Sequence, residues 1–561
     1  MVVGAVVLDL VLAIPIDRPR IFGDELIYWE LGRAFAWTGH FTVRGGSSPH
    51  YGIVYPALVA IAQRLGGTQT TAYRLAQGLN SLVFALTAVP AYLIAARVLR
   101  HRNAVVVAAL SVLVPSLILT SAIMTENAFY PLFVTSALLM LRALERPTVA
   151  RQLWVVVASA VLYLTRAQAV VVLPAFLLAA LLVAFVESRG SRSRALARVL
   201  RSYAPTIAAV VLGAAAALVA RGSSTLGPYH VLIASYQPRS ILHWALANVA
   251  DIDLYLGVVP FAAFGVLLVR ALSPAPLRVE VRRVAVLTGC LGAALLATVA
   301  VLSSSPYGLG RTHERNLFYL VPLVLVCFFA WIELGFPRPR LATTVVAVVA
   351  ALLPLTLPIS AVTTSSGEDG LALVPWENLD VRPRIEILGM VAAAVIAVLV
   401  FLFVRRAAAL VAVCALAFVL ALVVGERHAV RSLSQGRNVW QDKGWVDRAV
   451  GAGAHVVALW PTSHTGLQYW RLPGIWADEF FNRSVQDVSS ADGPLPDGLP
   501  IELMRVHSGG CLSAPFPRRP QYAVVDTSQR LAAPVVAVSP SRRAVLYRLS
   551  DPPDTCFARL R

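Results

Sequence analysis

Lysine is almost absent from this chain, although the chain is strongly basic. Lys443 is the single lysine in 561 residues, and the formal net charge is +18. Nearly all of the positive charge is arginine in short loops between apolar runs, and it is not pooled in one patch. This distribution excludes a nucleic-acid interface and is typical of the basic cytoplasmic loops of membrane proteins.

Charged residues of both signs are scarce as well. They make up 14% of the chain, whereas hydrophobic residues make up 58%. Soluble domains carry about 25% charged and about 45–50% apolar residues, so the composition excludes an ordinary soluble protein. We predict a polytopic all-α membrane protein followed by a small α/β domain.

Cysteine is the third scarce residue, with five in the chain. Cys290, Cys327 and Cys414 fall in apolar segments, where a free thiol behaves as a small hydrophobic group. Cys511 and Cys556 lie in the polar tail and could form one disulfide if the tail is extracytoplasmic. The spacing does not decide between paired and free thiols.

The apolar residues are arranged in long runs. A membrane span needs roughly 20 of them, and the runs predict about 13 transmembrane helices. They lie near residues 1–16, 75–96, 104–123, 128–144, 152–165, 168–186, 204–220, 253–272, 284–302, 317–335, 342–360, 386–404 and 407–424. If these spans alternate, the arginine-rich loops all face one side, which is the cytoplasm. We expect a multi-pass protein of the cytoplasmic membrane with its N-terminus inside and its tail outside.

The tail has a different pattern from the rest of the chain. We therefore predict a transmembrane domain over residues 1–424 and an extracytoplasmic α/β domain over residues 425–561. Residues 445–450 predict a helix that leads into the first strand. Short β-branched runs predict strands at residues 455–460, 522–526, 534–538 and 544–549.

An acid pair stands out in the first outer loop, in the stretch IFGDELIYWELGRAF over residues 21–35. Asp24 and Glu25 begin an amphipathic helix, and adjacent helical residues point about 100° apart, so we expect the two carboxylates to do different jobs. One interpretation is structural, with Asp24 capping the helix and Glu25 favouring its dipole. The other is a carboxylate at the membrane boundary that acts as general base on an acceptor hydroxyl, with Asp24 preferred.

A reaction that needs only a base has a leaving group that departs as a stable anion. A sugar on a lipid phosphate fits, because cationic side chains can replace a general acid. A later outer loop supplies Arg311, His313 and Arg315, and Arg166 in YLTRAQ falls on the same face. Arginine forks match phosphate oxygens. The alternative is that these cations only anchor span ends at the interface.

Other polar residues on the outer side are further candidates. Glu126, in MTEN, could position the acceptor, help to bind a divalent cation, or form a salt bridge with an arginine. Tyr28, His50 and Tyr51 are candidates for contacts with the sugar or the phosphate, although a lone histidine such as His50 is more often structural. Apart from that cation, no cofactor is predicted.

These motifs carry a resemblance to a known family. GDELIYWELGRAFAWTGHF and then YGIVYPALVAIA, MTENAFYPLF and HERNLFYLVPL resemble C-type (GT-C) membrane glycosyltransferases, in the branch of protein O-mannosyltransferases and lipid A aminoarabinose transferases. The resemblance covers roughly residues 1–335. It implies a polyprenyl-phosphate sugar donor used on the outer face with inversion at the anomeric carbon, Asp24 as base and Glu126 as the second acidic position.

The chain departs from that pattern in its cations. The lipid-facing lysine of the aminoarabinose enzymes has no counterpart, so arginine would have to serve. The resemblance also leaves metal dependence open. We expect a hexosyl- or pentosyltransferase whose acceptor is a glycan, a lipid or a protein. The alternatives are a transporter or flippase of lipid-linked sugars and a non-catalytic glycan-binding membrane protein.

Overall fold

The chain is described by a computed structural model, which covers most of its length. The described residues are 2–20, 22–47, 51–188, 191–219, 235–363, 369–379, 381–434, 437–460, 472–491, 499–516, 518–549, 556 and 558–559. Helices dominate the first three quarters of the chain, and most strands lie in the last quarter.

The described residues contain 22 α-helices. They are α1 Val2–Ala13, α2 Phe22–Thr38, α3 Val54–Leu65, α4 Gln69–Ala85, α5 Ala88–Ala95, α6 His101–Val112, α7 Glu126–Glu145, α8 Val149–Thr165, α9 Val172–Glu187, α10 Arg192–Ser202, α11 Ala204–Val219, α12 Ile241–Leu256, α13 Val259–Leu272, α14 Val279–Ser303, α15 Val321–Glu333, α16 Arg340–Leu352, α17 Ile359–Thr363, α18 Val374–Glu377, α19 Pro383–Phe403, α20 Ala407–Ser434, α21 Trp445–Val450 and α22 Leu472–Phe481.

Six helices in the described residues are long and apolar enough to cross a membrane, or up to nine if each bent pair of helices is one span. The prediction of about 13 spans is therefore supported only in part. Four predicted spans coincide with shorter apolar helices, at Val2–Ala13, Val149–Thr165, Phe318–Glu333 and Arg340–Thr356. Each is too short to cross a hydrocarbon core of about 30 Å as a straight helix along its normal.

Breaks in the helices bring polar groups into the apolar body. Helix α6 ends just before Pro115, which cannot continue an α-helix without losing a hydrogen bond, and Pro115–Ser121 forms a 3₁₀ segment. The carbonyls that this segment leaves open accept hydrogen bonds from Asn80 and Gln77. Arg20 binds the carbonyl of Ile118 at 3.1 Å. Irregular backbone is thus satisfied by buried side chains, as an apolar environment requires.

The second important break separates α12 from α13. Gly257 takes a positive φ of 81°, and the two helices meet at an angle of 115°. Glycine adopts this left-handed conformation without the strain that a Cβ would add. The bend keeps the polar residues of α12 beside the loop that carries Arg311, His313 and Arg315.

The C-terminal part of the chain contains a six-stranded mixed sheet in the order β5-β4-β3-β8-β10-β9. The predicted strands coincide with β3, β8, β9 and β10, and the predicted helix with α21. The division into two domains stays a prediction. The described strands are β1 Thr42–Val43, β2 Gly46–Ser47, β3 Val456–Leu459, β4 Val485–Ser490, β5 Glu502–Leu503, β6 Arg505–Val506, β7 Cys511–Ser513, β8 Tyr522–Asp526, β9 Val535–Val538, β10 Ala544–Arg548 and β11 Ala558–Arg559.

A disulfide joins Cys511 in β7 to Cys556, whose Cα atoms are 5.5 Å apart. The same part of the structure pairs β7 with β11. The bond therefore fastens the last described strand to the body of the C-terminal region. The two cysteines are 45 residues apart in the chain. The disulfide therefore restricts the conformations of the unfolded chain and stabilises the folded state.

Helix α2 holds the C-terminal region against the helical part. The rings of Trp29 and Phe480 stack with centroids 4.8 Å apart, and the indole N–H of Trp29 donates to the carbonyl of Phe480. Gly32 allows α3 to approach, because a Cβ there would lie 2.6 Å from Val59. One helix thus carries the predicted acid pair at its start and contacts the C-terminal region farther along.

Candidate functional site

Asp24 is the accessible carboxylate of the acid pair. It lies in the first turn of α2, and 44% of its side chain is exposed. Its Oδ2 atom is 3.2 Å from Nη2 of Arg315. The predicted base and a predicted phosphate-binding arginine are therefore in direct contact, although 291 residues separate them in the chain.

Glu25 points away from that contact. It is completely buried, and its two carboxylate oxygens accept hydrogen bonds from the backbone amides of Arg20 and Ile123. The carboxylate ties the entry of α2 to the segment before α7. The two neighbouring acids face different surroundings, as their helical separation predicts, and only Asp24 is open to solvent.

Arg315 lies between three carboxylates. Besides Asp24, its Nε atom is 2.9 Å from Oδ1 of Asp369 and 3.9 Å from Oε1 of Glu126. Burial lowers the pKa of the guanidinium, but these three negative charges outweigh burial, and the pKa is raised. Arg315 therefore stays charged and is directed inward, instead of extending along the lipid interface.

Asp369 joins the cations of this loop. Its carboxylate contacts Nη1 of Arg311 at 3.0 Å and Nδ1 of His313 at 3.6 Å, in addition to Arg315. The sequence analysis missed Asp369. It lies between the predicted spans 342–360 and 386–404, in a segment that the alternation of spans puts on the same side as Asp24. The signal in the sequence that could have identified Asp369 was the presence of an acid in a further outer loop.

Two buried contacts hold the arginine loop in place. The amide oxygen of Asn248 on α12 accepts the backbone N–H of His313 at 2.9 Å. Glu314 accepts the backbone N–H groups of Leu371 and Ala372, which follow Asp369. Burial, with a further contribution from neighbouring Asp251, raises the pKa of Glu314 well above its ordinary value. The loop and its carboxylate partner are thus fixed to each other.

Glu126 and Arg166 form the inner side of the site. Glu126 begins α7, is completely buried, and contacts Nη1 of Arg166 at 2.6 Å. Arg166 also donates to the hydroxyl of Thr125 and to the side-chain oxygen of Asn316. Of the alternatives for Glu126, the salt bridge with an arginine is present in the structure. The same pair connects three separate stretches of the chain.

Tyrosines line the approach to this pair. Tyr28 packs edge-on against Tyr51 at 6.2 Å and Tyr55 at 5.9 Å. Gly52 lets this loop touch the end of α8, because a Cβ there would lie 2.2 Å from the carbonyl of Thr165. Burial and the charge of Asp24 raise the pKa of Tyr28, so its phenol stays protonated. His50 lies outside the described residues.

An apolar groove starts where the arginine loop ends. It has a volume of about 250 Å³ and is lined almost entirely by carbon atoms, from α12, α13, α14 and α15 and the turn between Arg315 and α15. Leu317 and Leu320, which line its wall, follow Arg315 by two and five residues. A charged loop and an apolar groove therefore adjoin each other.

The chain is similar to known proteins in part of its sequence and in its fold. Residues 49–219, under a third of the chain, match the family of dolichyl-phosphate-mannose-protein mannosyltransferases. The structure of ArnT from Cupriavidus metallidurans bound to undecaprenyl phosphate is 15% identical, with 97% of each chain covered and a TM-score of 0.53. The chain has the GT-C glycosyltransferase fold. The resemblance predicted from its sequence motifs is confirmed.

Other structures with the GT-C fold are less similar. The same ArnT without ligand is 15% identical, with 97% of each chain covered and a TM-score of 0.50. The oligosaccharyltransferase of Archaeoglobus fulgidus is 12% identical over 85% of this chain and 63% of its own, with a TM-score of 0.46. No curated protein matches the chain in sequence.

The candidate site is built from arginine–carboxylate contacts. Arg315 contacts Asp24, Glu126 and Asp369. Asp369 adds Arg311 and His313, and Glu126 adds Arg166. In the described residues, no group of three or more histidine, cysteine or acidic side chains has the geometry to hold a metal ion. The metal dependence that the sequence left open is therefore not decided by these residues.

Proposed function

We propose that the protein transfers one sugar from a polyprenyl-phosphate donor to an acceptor hydroxyl on the outer face of the cytoplasmic membrane. Asp24 is the general base, and the anomeric carbon is inverted. The observation that carries the proposal is the contact between a half-exposed carboxylate, Asp24, and a buried arginine, Arg315. Two residues after Arg315, Leu317 lines an apolar groove. A base, a phosphate ligand and a site for an isoprenoid chain then adjoin one another.

The lipid end of the donor fits the groove by chemistry. Its walls offer leucine, phenylalanine and glycine, and almost no polar surface. An isoprenoid in the groove removes apolar area from water or lipid and keeps its phosphate at the level of Arg315. The ArnT structure of the same fold binds undecaprenyl phosphate, and this supports a donor of that class.

The phosphate replaces Asp24 as a partner of Arg315. Arg315 and Arg311 are both held by Asp369 and present guanidinium groups suited to phosphate oxygens. When the phosphate binds the guanidinium group of Arg315, the carboxylate of Asp24 loses this partner and can accept a proton from the acceptor hydroxyl. Binding of the donor thus prepares the base.

Transfer follows in one displacement. Asp24 accepts the proton of the acceptor hydroxyl while that oxygen forms a bond to the anomeric carbon. The bond between this carbon and the phosphate oxygen breaks, and polyprenyl phosphate leaves with the electron pair. The arginines stabilise the charge on the leaving phosphate, so the leaving group needs no proton. Attack from the face opposite the phosphate inverts the anomeric carbon.

Glu126 positions Arg166 in this scheme. Arg166 reaches Asn316, the residue after Arg315, so the buried pair supports the arginine loop from behind. Tyr28 and Tyr51 line the side on which the sugar or acceptor enters. Their aromatic faces offer apolar contact to sugar rings.

Release of free polyprenyl phosphate tests the function. Purified protein in detergent would be given a panel of polyprenyl-phosphate hexoses and pentoses with a crude extract of envelope acceptors. We expect release from one donor together with a glycosylated product of inverted configuration. A folded protein that releases nothing from any donor, or that moves a labelled lipid-linked sugar across a vesicle membrane unchanged, would overturn the proposal.

A further inference from the structure

A polar pocket, separate from the apolar groove, lies between α2 and the C-terminal sheet. Its volume is about 310 Å³, at the low end of the range of about 300–1,000 Å³ for ligand sites. Four arginines but only two acids line it. The charged lining residues are Arg33, Arg44, Arg483, Arg518, Glu30 and Asp487.

Two of the arginines are already committed to the fold. Arg44 contacts both oxygens of Glu479, and Arg33 binds Glu30 and three backbone carbonyls. Asp487 is held by His455. These residues line the pocket, and the guanidinium groups of Arg33 and Arg44 already have partners inside the protein.

Arg483 and Arg518 are not committed in this way. Neither forms an ion pair within the part of the chain that the structure describes. Arg483 stacks on the ring of Trp37, with its guanidinium carbon 3.5 Å from the centroid, which holds the fork in one plane. Arg518 is exposed at the rim. The carboxylate of Asp447 accepts the backbone N–H of Arg483 and is not paired with its guanidinium group.

The positive charge around Arg483 is in excess. Burial lowers the pKa of its guanidinium, and the charges of Arg33 and Arg64 lower it further against the attraction of Asp447. An anion in the pocket would relieve this repulsion. The remaining lining supplies the hydroxyls of Thr38 and Thr42 and the exposed amide of Gln486, which suit the hydroxyl groups of a sugar.

The pocket is on the same helix as the site. Trp37 and Asp24 are 13 positions apart on α2, and a rise of about 1.5 Å per residue separates them by about 20 Å. A donor sugar at Asp24 cannot reach so far, but an acceptor of several sugar units can. One rigid helix therefore links the reacting end of such an acceptor to a more distant part of it.

We propose that this pocket binds an acidic saccharide, through carboxylate or phosphate groups held by Arg483 and Arg518. The inference rests on the proposed function, because it names the acceptor as an anionic glycan that is bound at a distance from its reacting hydroxyl. The pocket then selects the acceptor, whereas Asp24 and Arg315 carry out the transfer.

Binding can be measured without donor or turnover. Full-length protein in a neutral detergent would be titrated with an oligogalacturonate and with a neutral malto-oligosaccharide of the same length, at low and high salt. We expect binding of the acidic probe that weakens with salt. The double variant Arg483→Gln/Arg518→Gln should bind it at least about tenfold more weakly, since it loses two charge-assisted hydrogen-bond donors.

A charge-matched variant separates the pocket from general attraction. Arg505→Gln/Arg530→Gln removes two exposed arginines of the same C-terminal region and should keep the wild-type affinity. Thermal unfolding would verify that both double variants are folded. Equal affinity for both probes, no binding by wild type, or equal losses in the two double variants would overturn the inference. The binding experiment needs no donor, so its result can be interpreted even if no polyprenyl phosphate is released in the earlier assay.

Discussion

Two arginine–carboxylate networks lie beside α2, and they differ in exposure. Toward the C-terminal region, Nε of Arg44 and Oε1 of Glu479 are 2.7 Å apart, and each side chain is 1% exposed. At the first turn of α2, Asp24 is 44% exposed, and its partner Arg315 also contacts Asp369 and Glu126. The first network is closed, whereas the second opens to solvent.

The difference separates a structural network from a reactive one. A closed pair can satisfy every donor and acceptor, and its charges then serve only to fix one packing arrangement. An open pair can exchange a partner. Arg315 can take up a phosphate and release Asp24, which Arg44 cannot do for Glu479. Exposure of one carboxylate, and not the presence of charge, therefore identifies the site.

The largest expected effect is the loss of turnover in Asp24→Asn. Removing a general base slows transfer by about 10²–10⁴-fold, and the exposed position should leave thermal unfolding unchanged. Release of polyprenyl phosphate per folded molecule measures the rate of transfer, and the melting midpoint measures the stability.

The neighbouring acid is the control for that variant. Glu25→Gln places an amide where two backbone N–H groups need acceptors, so we expect a lower melting midpoint. If Asp24→Asn melted early and Glu25→Gln did not, the two acids would have exchanged roles.

The closed network should fail through stability. Glu479→Gln leaves Arg44 buried without its counter-charge, and breaking a buried pair costs about 3–5 kcal/mol. Thermal and chemical unfolding in detergent would show this, with Glu502→Gln, a partly exposed acid in β5, as matched control. Equal shifts in the two variants would contradict the distinction between networks.

Arg315→Lys keeps the charge of the open network but removes the fork. One ammonium cannot maintain the planar contacts to Asp369 and a phosphate together. We expect kcat/KM for the donor to fall about 10–100-fold, the equivalent of one hydrogen bond to a charged group. Arg505→Lys, at an exposed position, should have no effect. A full rescue by lysine would mean that Arg315 acts only as a point charge.

The smallest expected effect concerns the groove. Ala293→Phe puts a ring into its wall and takes up part of the space that an isoprenoid would fill. The KM for the donor should rise about tenfold, equivalent to about 1.4 kcal/mol of lost binding, while kcat changes little. Ala392→Phe, exposed on α19, is the matched control. An unchanged KM in Ala293→Phe would remove the isoprenoid chain from this groove.

The sequence predicted much of the helical framework. Apolar runs located a helix for each predicted span, because burial in lipid leaves a long compositional signal. They did not predict where the helices break, because breaks such as the bend at Gly257 depend on local backbone conformation. Four helices that are shorter than a membrane span were counted as spans.

The candidate site was predictable in part: the sequence indicated that Asp24 and Glu25 face different surroundings, but not what each of them contacts. Asp24, Glu126 and Arg315 stood out as polar residues at span ends. Glu25 has the same chemistry as Asp24, and only the backbone amides that fold against it separate the two. Asp369 follows Glu368 in a polar loop. It escaped notice because its role depends on contacts with Arg311, His313 and Arg315, which a distant segment of the chain brings to it.

The most direct test of the account is a structure with polyprenyl phosphate bound. We predict phosphate oxygens within hydrogen-bond distance of Arg315 and Arg311, the isoprenoid chain along Leu317 and Leu320, and Asp24 no longer paired with Arg315. A bound lipid phosphate elsewhere, with the contact between Asp24 and Arg315 intact and the groove empty, would contradict the central claim that this network opens to receive the donor.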